Sequence, residues 1–246
     1  MTALELTVPS IVLKEIDDSH YYWVDGEYMP SVTHLLGIAA PTGQGLKQFF
    51  LNQTPESADK ILVEAGEFGT LVHESIEWLL GGNELNFEEK LDNGKPKFSK
   101  RAKKYIMDFH NWFYEYKPTD IQSELRVASK EFKYAGTLDL ACKIGEKKVI
   151  IDFKTSSAIH YNYELQITAY KRAYEEIYKV PVDETYILRL GTKTKQGFEF
   201  KKIERTMDEF LNVYNTFVSL NGGKIPAPPT AKVYPAKIKL YEEVPV

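Results

Sequence analysis

Residues 136–140 read GTLDL and residues 149–156 read VIIDFKTS, two β-forming stretches joined by a short turn. Strand geometry sends successive side chains to opposite faces, so Val149, Ile151 and Phe153 share one face while Ile150, Asp152 and Lys154 share the other. Two charges therefore project together from a strand that is otherwise aliphatic. By the same alternation Thr137, Asp139 and Ala141 lie on one face of the first stretch, and Leu138, Leu140 and Cys142 on the other. A hairpin between the two sets Asp139 beside Asp152 and Lys154. Two ionised carboxylates about 4 Å apart repel by roughly 4 kcal/mol at an effective dielectric near 20. That raises one pKa unless a cation intervenes. Oxygen ligands of this kind suit Mg²⁺ or Mn²⁺ rather than zinc or copper. Lys154 would then orient an attacking water and neutralise charge developing on a phosphate. Taken alone, the Asp-x-Lys triplet also reads as an ion pair on a solvated strand face.

The rest of the chain supplies the frame. Residues 121–155 alternate in three successive strands (IQSELRVASK, YAGTLDLACKI, KKVIIDFKT), and ETYILRL and GFEFKKI add two more. Helical periodicity runs from about Ser57 to Leu80, stopping at Gly81-Gly82, and from Ser99 to Tyr116, stopping at Pro118. It returns over Tyr163 to Tyr178 and through MDEFLNVYNTFVSL. Near the N-terminus, YYWVDGEYM reads as two short strands about an Asp25-Gly26 turn. Ser31 caps a helix over VTHLLGI, and a further helical piece surrounds LKQFFLN. The expected architecture is α/β: a restriction-endonuclease-like core with a central mixed sheet flanked by helices, plus an N-terminal hairpin and helical extension. One domain over 1–246 is expected, divided into 1–56 (hairpin and helices), 57–220 (core) and an extended tail over 221–246.

Composition narrows the function. With 43% hydrophobic residues in 246, the chain can bury a sizeable core. A single cysteine, Cys142, excludes an internal disulfide framework and a cysteine-held zinc or iron–sulfur cluster. It fits a reducing, intracellular, cytoplasmic location, and no apolar run approaches the ~18 residues of a membrane span. The net charge of −4 argues against a generic nucleic-acid coat. Basic residues nevertheless concentrate at 95–104 (KPKFSKRAKK), in GTKTKQG and in KKIER; each stretch alone is a solvated face.

GTLDL, IIDFKTS and then ELQITAYKRAY together resemble the PD-(D/E)XK nuclease superfamily, in particular its RecB-like exonuclease branch. A QxxxY pattern on the following helix is matched by Gln166 and Tyr170, and a GxxxH pattern on a preceding helix by Gly69 and His73. The resemblance covers roughly residues 65 to 178. Leu138 stands where the superfamily's name places proline, a substitution common in the branch. The resemblance implies that Asp139, Asp152, His73 and the Phe153 backbone carbonyl ligate Mg²⁺ or Mn²⁺, as one or two ions. It makes Lys154 the group that positions the nucleophile, with Gln166 and Tyr170 bracing the site or touching a substrate phosphate. No member of the iron–sulfur subgroup could lack the four cysteines missing here. Glu124 reads either as a further acidic ligand or as a surface charge.

VDGEYMPSVTHLLG is also similar to phage-encoded and mitochondrial genome-maintenance exonucleases of this branch. That implies a DNA substrate with a free or single-stranded end, a cytoplasmic setting (the host's, if phage-encoded), roles in recombination or repair, and a recombination or replication protein as partner. Ser31, Thr33, Tyr134 and Thr155 are the candidate substrate contacts. Tyr21, Tyr22, Trp23, Tyr134 and Tyr161 could stack on unpaired bases, although core packing explains most aromatics. The leading expectation is a metal-dependent DNA exonuclease. A non-catalytic, recombination-accessory nucleic-acid-binding module, a structure-selective endonuclease and a purely structural α/β domain remain open on the sequence.

Overall fold

The computed structural model describes residues 8–16 and 19–228. Its core is a five-stranded sheet in the order β4-β5-β6-β7-β8, from β4 (Thr119–Ser129), β5 (Tyr134–Ile144), β6 (Lys147–Lys154), β7 (Glu184–Leu190) and β8 (Phe198–Ile203). Neighbours pair antiparallel except β6 and β7, which run parallel. A parallel pair needs a crossover, supplied by α5 (Tyr161–Tyr178). The sheet is thus mixed and flanked by helices, as the alternation in residues 119–203 leads one to expect.

Each face of the sheet has its own core. On one side α1 (Val32–Ala39), α5 and α6 (Met207–Leu220) bury Val32, Leu35, Leu138, Ala141, Ile150, Tyr170, Ile187 and Phe210. On the other, α3 (Pro55–Leu80) and α4 (Lys100–Tyr116) cover Leu140, Cys142, Val149, Ile151, Phe153 and Leu188 with Val72, Ile76, Phe109 and Trp112. Because α5 is sandwiched between the sheet and other helices, it buries far more than one stripe, including Leu165, Ile167, Ala169 and Tyr174 beside Tyr170, Ala173 and Ile177.

Helix starts follow capping chemistry. Ser99 Oγ accepts the Ala102 N–H at 3.1 Å to open α4. Thr54 Oγ1 accepts the Ser57 N–H at 3.3 Å to open α3, with Pro55 at the first helical position. The helix therefore begins two residues before the Ser57 that periodicity suggests. α5 likewise begins at Tyr161 rather than Tyr163, and α2 spans Gln44–Leu51.

The N-terminal sheet has three strands rather than two. β1 (Ile11–Ile16) pairs with β2 (Ser19–Val24), which pairs with β3 (Glu27–Met29). β1 is an edge strand whose Val12, Lys14 and Glu15 face solvent, which leaves only a faint apolar pattern. This unit docks on β5: Ser31 bridges Ala135, and Tyr22, Val24 and Met29 pack on Ala128 and Ala135. The part of the expected tail over 229–246 lies outside the described residues. Among the described residues, no helix is long and apolar enough to cross a membrane.

Candidate active site

Strict alternation fails in β5, and the failure creates the site. Leu138 and Ala141 pack on the α5 side, whereas Leu140 and Cys142 pack on the α3 side. The faces assigned from simple alternation are therefore corrected: Leu138 does not share a face with Leu140. The register between β4 and β5 continues on both sides, through Ser123↔Leu140 and Leu125↔Leu138, but the Glu124–Asp139 pair drops out. Glu124 adopts a φ of 50°, in the left-handed region that a glutamate rarely enters. Strand β6 loses β5 at the same level. Their pairing ends at Leu140↔Ile151, while β6 stays with β7 as far as Lys154↔Arg189. In the fork so opened, the Phe153 N–H donates to Asp139 Oδ2 at 2.6 Å.

Three potential ligands converge there. One ligand atom from each of His73, Glu124 and Asp139 lies within 4.8 Å of the others. His73 reaches in from α3, its Nδ1 3.7 Å from Asp139 Oδ1 and its ring edge-on to Phe153. Burial, reinforced by the Lys154 charge, lowers the His73 pKa to about 4, so the ring is neutral at pH 7. Burial raises both Asp139 and Asp152 to about 6. It raises Glu124 to about 8, helped by Asp139 and Glu77. These are the marks of three acidic groups crowded together with a single ammonium, Lys154, to offset them.

Asp152, at 1% exposure, is the most buried of these acids. Lys154 Nζ lies 2.7 Å from its Oδ2 in an ion pair, and its Oδ1 has no partner among the described residues. Burial works against the Lys154 charge, yet the Asp152 and Asp139 carboxylates outweigh it and hold the ammonium above its ordinary range. The same ammonium donates to Gln166 Oε1 at 3.1 Å, and Gln166 Nε2 donates to the Tyr170 hydroxyl at 3.1 Å. The Tyr170 ring packs in the same core as Val32 and Leu35 of α1. A Cβ on Gly136 would stand 2.5 Å from the Tyr170 ring, so glycine is what allows that ring to lie flat against β5.

Beside the fork is an open cleft of about 570 Å³, bordered by Ile61, Glu64 and Gly66 of α3, Arg101 of α4, and Lys154, Thr155 and Tyr163. A Cβ at Gly69 would meet Thr155 Oγ1 in ordinary contact at 3.5 Å, while Gly66 has open space around it. The helix therefore closes on the strand at Gly69 and leaves room one turn earlier. Charge, cleft and fork together present a place where a polyanion could lie against a buried lysine.

Comparison with known families gives this arrangement its place. A profile of the PD-(D/E)XK nuclease superfamily matches residues 46–235. The chain belongs to that superfamily. A search of curated proteins found no match. Among solved structures, the chain is similar to a provisionally assigned exonuclease from Eubacterium rectale, with 16% identity over 66% of this chain and 77% of that one and a TM-score of 0.38. It is also similar to an alkaline exonuclease from Laribacter hongkongensis, with 10% identity over 68% of this chain and 81% of that one and a TM-score of 0.35.

The residues of this PD-(D/E)XK chain fit a hard divalent cation. Carboxylate oxygens outnumber nitrogen donors, the one histidine is neutral, and Asp152 Oδ1 is a buried oxygen that no donor among the described residues satisfies. Of the residues singled out in the sequence, His73, Asp139 and Glu124 converge, and Asp152, Lys154, Gln166 and Tyr170 form the adjoining chain. The Phe153 backbone lies beside the His73 ring, and Thr155 lines the cleft. Two expected substrate contacts sit elsewhere. Ser31 is buried with its hydroxyl accepting the His34 N–H, and Tyr134 is buried with its hydroxyl donating to the Ala169 carbonyl. Tyr22 is core as well, hydrogen-bonded to Thr137 at 3.0 Å, and so is not free to stack on a base. Thr33, in the first turn of α1, is exposed. The cleft residues that motif reading did not single out are Glu64, Arg101, Ser156, Ser157 and Tyr163. Only Arg101 left a trace, as one cation of the 95–104 run.

Proposed function

We propose that the chain is an Mg²⁺- or Mn²⁺-dependent deoxyribonuclease acting as an exonuclease on DNA ends with a single-stranded portion. The observation that carries this reading is the fork between β5 and β6, where His73, Glu124 and Asp139 converge, with the Asp152–Lys154 ion pair alongside and Lys154 on the cleft side. His73, Glu124, Asp139 and Asp152, with the Phe153 carbonyl, would hold the cation. When bound it would supply a Lewis acid for the phosphoryl oxygens and a lowered pKa for an adjacent water.

The chain's own residues do the rest. Lys154, charged at neutral pH and fixed by Gln166, orients the attacking water toward phosphorus and offsets the negative charge that grows on the phosphoryl oxygens. Tyr170 fixes Gln166, so the lysine does not swing with its four-carbon stem. Thr155, at the mouth, offers a hydroxyl to the substrate backbone. The exonuclease preference rests on the order of the GxxxH, GTLDL, IIDFKT and QxxxY motifs, which matches the RecB-like branch.

The test is a cleavage assay on end-labelled single and double strands and on a closed circular single strand. Release of mononucleotides or short products from linear strands, abolished by EDTA and restored by Mn²⁺, is the expected result. Cutting of the circle at the linear rate would replace the exonuclease reading with an endonuclease. No cleavage with any divalent ion would leave a binding module.

A further inference from the structure

The sequence holds two basic runs that the site does not absorb, and the fold brings them together on α4, whose Arg101 borders the cleft. Arg101 lies in the first turn of α4 and borders the cleft; Lys193 and Lys195 lie in the loop between β7 and β8. The loop is clamped to α4. The Gly191 N–H donates to Asp108 Oδ2 at 3.1 Å, and Lys104 Nζ reaches both Asp108 Oδ2 at 2.6 Å and the Thr192 carbonyl at 3.4 Å. Gly191 and Gly197, with φ of 75° and 84°, are pressed so close to α4 that a Cβ would stand 1.9 Å from Tyr105 Cζ and from Asp108 Oδ1 respectively. Thr194 closes the loop on itself through the Thr192 hydroxyl and the Phe198 carbonyl. The chain thus spends a buried aspartate, two left-handed glycines and two threonines on holding a loop whose outward side chains are Lys193, Lys195 and Gln196.

Electrostatics says the arrangement lacks a partner. Lys100, Arg101, Lys103 and Lys104 crowd the positive end of the α4 dipole, with no acid in its first turn. Among the described residues, no carboxylate lies within ion-pair distance of Arg101, Lys193 or Lys195. Arg101 instead stacks on Phe68, 3.9 Å from the ring centroid, and Tyr105 links it to Gly191. In a chain with a net charge of −4, unpaired cations on α4 and on the loop clamped to it, starting from Arg101 at the cleft, match a chain of phosphates.

We propose that Arg101, Lys193 and Lys195 form a track for the backbone phosphates of the nucleic-acid strand flanking the one at the reactive centre, with Lys104 and Asp108 as its positioning residues. The proposal rests on the nuclease reading above. Phosphate contacts set register and affinity without reading sequence, so the track confers affinity that grows with strand length.

The experiment is fluorescence anisotropy of a labelled 20-nucleotide single strand and of a 4-nucleotide one, in EDTA, over a series of KCl concentrations. For Lys193→Ala/Lys195→Ala the slope of log affinity against log salt is expected to become shallower by roughly 1.4 on the long strand, and by roughly 0.7 more when Arg101→Ala is added. The short strand should lose much less. Lys147→Ala is the comparison, since Lys147 lies at the far end of β6 from Lys154, roughly 23 Å away at strand rise. An unchanged slope in the double variant, or an equal change per lysine in Lys147→Ala, overturns the track while cleavage by the wild type leaves the nuclease reading standing. A wild type that neither binds DNA nor cuts it with Mn²⁺ overturns both.

Discussion

Lys154 is buried between two carboxylates, an amide and the Tyr163 ring, whose centroid is 4.7 Å from its Nζ. A cation so enclosed, with 16% of its side chain exposed toward the cleft, is held for its charge. Lys154→Ala and Asp152→Asn should each reduce cleavage on the order of 10²–10³-fold, with far-UV circular dichroism unchanged and a cooperative melt retained. Wild-type rates in both variants would move the site elsewhere. Much of this site is legible in the sequence because short-range geometry determines it. Asp152 and Lys154 must share a face two residues apart, and Gln166 and Tyr170 must share one four residues apart on a helix. Glu124 is not legible in this way. Its approach depends on a left-handed backbone turn inside a strand, which no residue type at that position announces. Ser31 and Tyr134 mislead for a related reason, since a hydroxyl carries no mark of whether a cap, a carbonyl or a phosphate will use it.

At the scale of elements, the fork in the sheet is coupled to the N-terminal unit through one ring. Tyr170 touches Gly136 of β5 and Gln166 of its own helix, and packs in one core with Val32 and Leu35 of α1. Gly136→Ala should push the ring away, destabilise the fold by about 1–3 kcal/mol and lower cleavage by loosening Gln166. Adding Tyr170→Ala should recover part of the stability but not the activity. Urea melts together with turnover measurements check both, and a Gly136→Ala protein as stable and active as wild type would show that the ring is not held there. The order of helices and strands is readable from periodicity, because most elements bury a clean face. β1 escapes because an edge strand with three solvent-facing side chains buries too little to leave a pattern. The slip between Leu138 and Leu140 escapes because alternation presumes a continuous ladder, and the ladder breaks where the site forms.

For the whole molecule, the crowded acids tie folding to pH and to the cation. Asp139 and Asp152 rise from an ordinary 3.8 to about 6 and Glu124 from 4.5 to about 8, so the folded state binds more protons than the unfolded one between these values. Their stabilisation is therefore complete at low pH and is lost as pH climbs through about 6 and then about 8. A bound divalent ion supplies the missing countercharge and competes with those protons. Calorimetry should accordingly show a rise in Tm on adding Mn²⁺ that is small at pH 5 and several degrees larger at pH 8. An equal rise at both pH values would place the ion away from these acids. The central claim, that the parting of β5 from β6 builds a cation site beside a buried lysine, has a more direct measurement in the anomalous scattering of manganese from soaked crystals. The account predicts a peak within coordination distance of Asp139, with His73, Glu124 or Asp152 completing its ligands and Lys154 alongside. A map with no peak in the fork, or with manganese bound only at surface carboxylates, would contradict it.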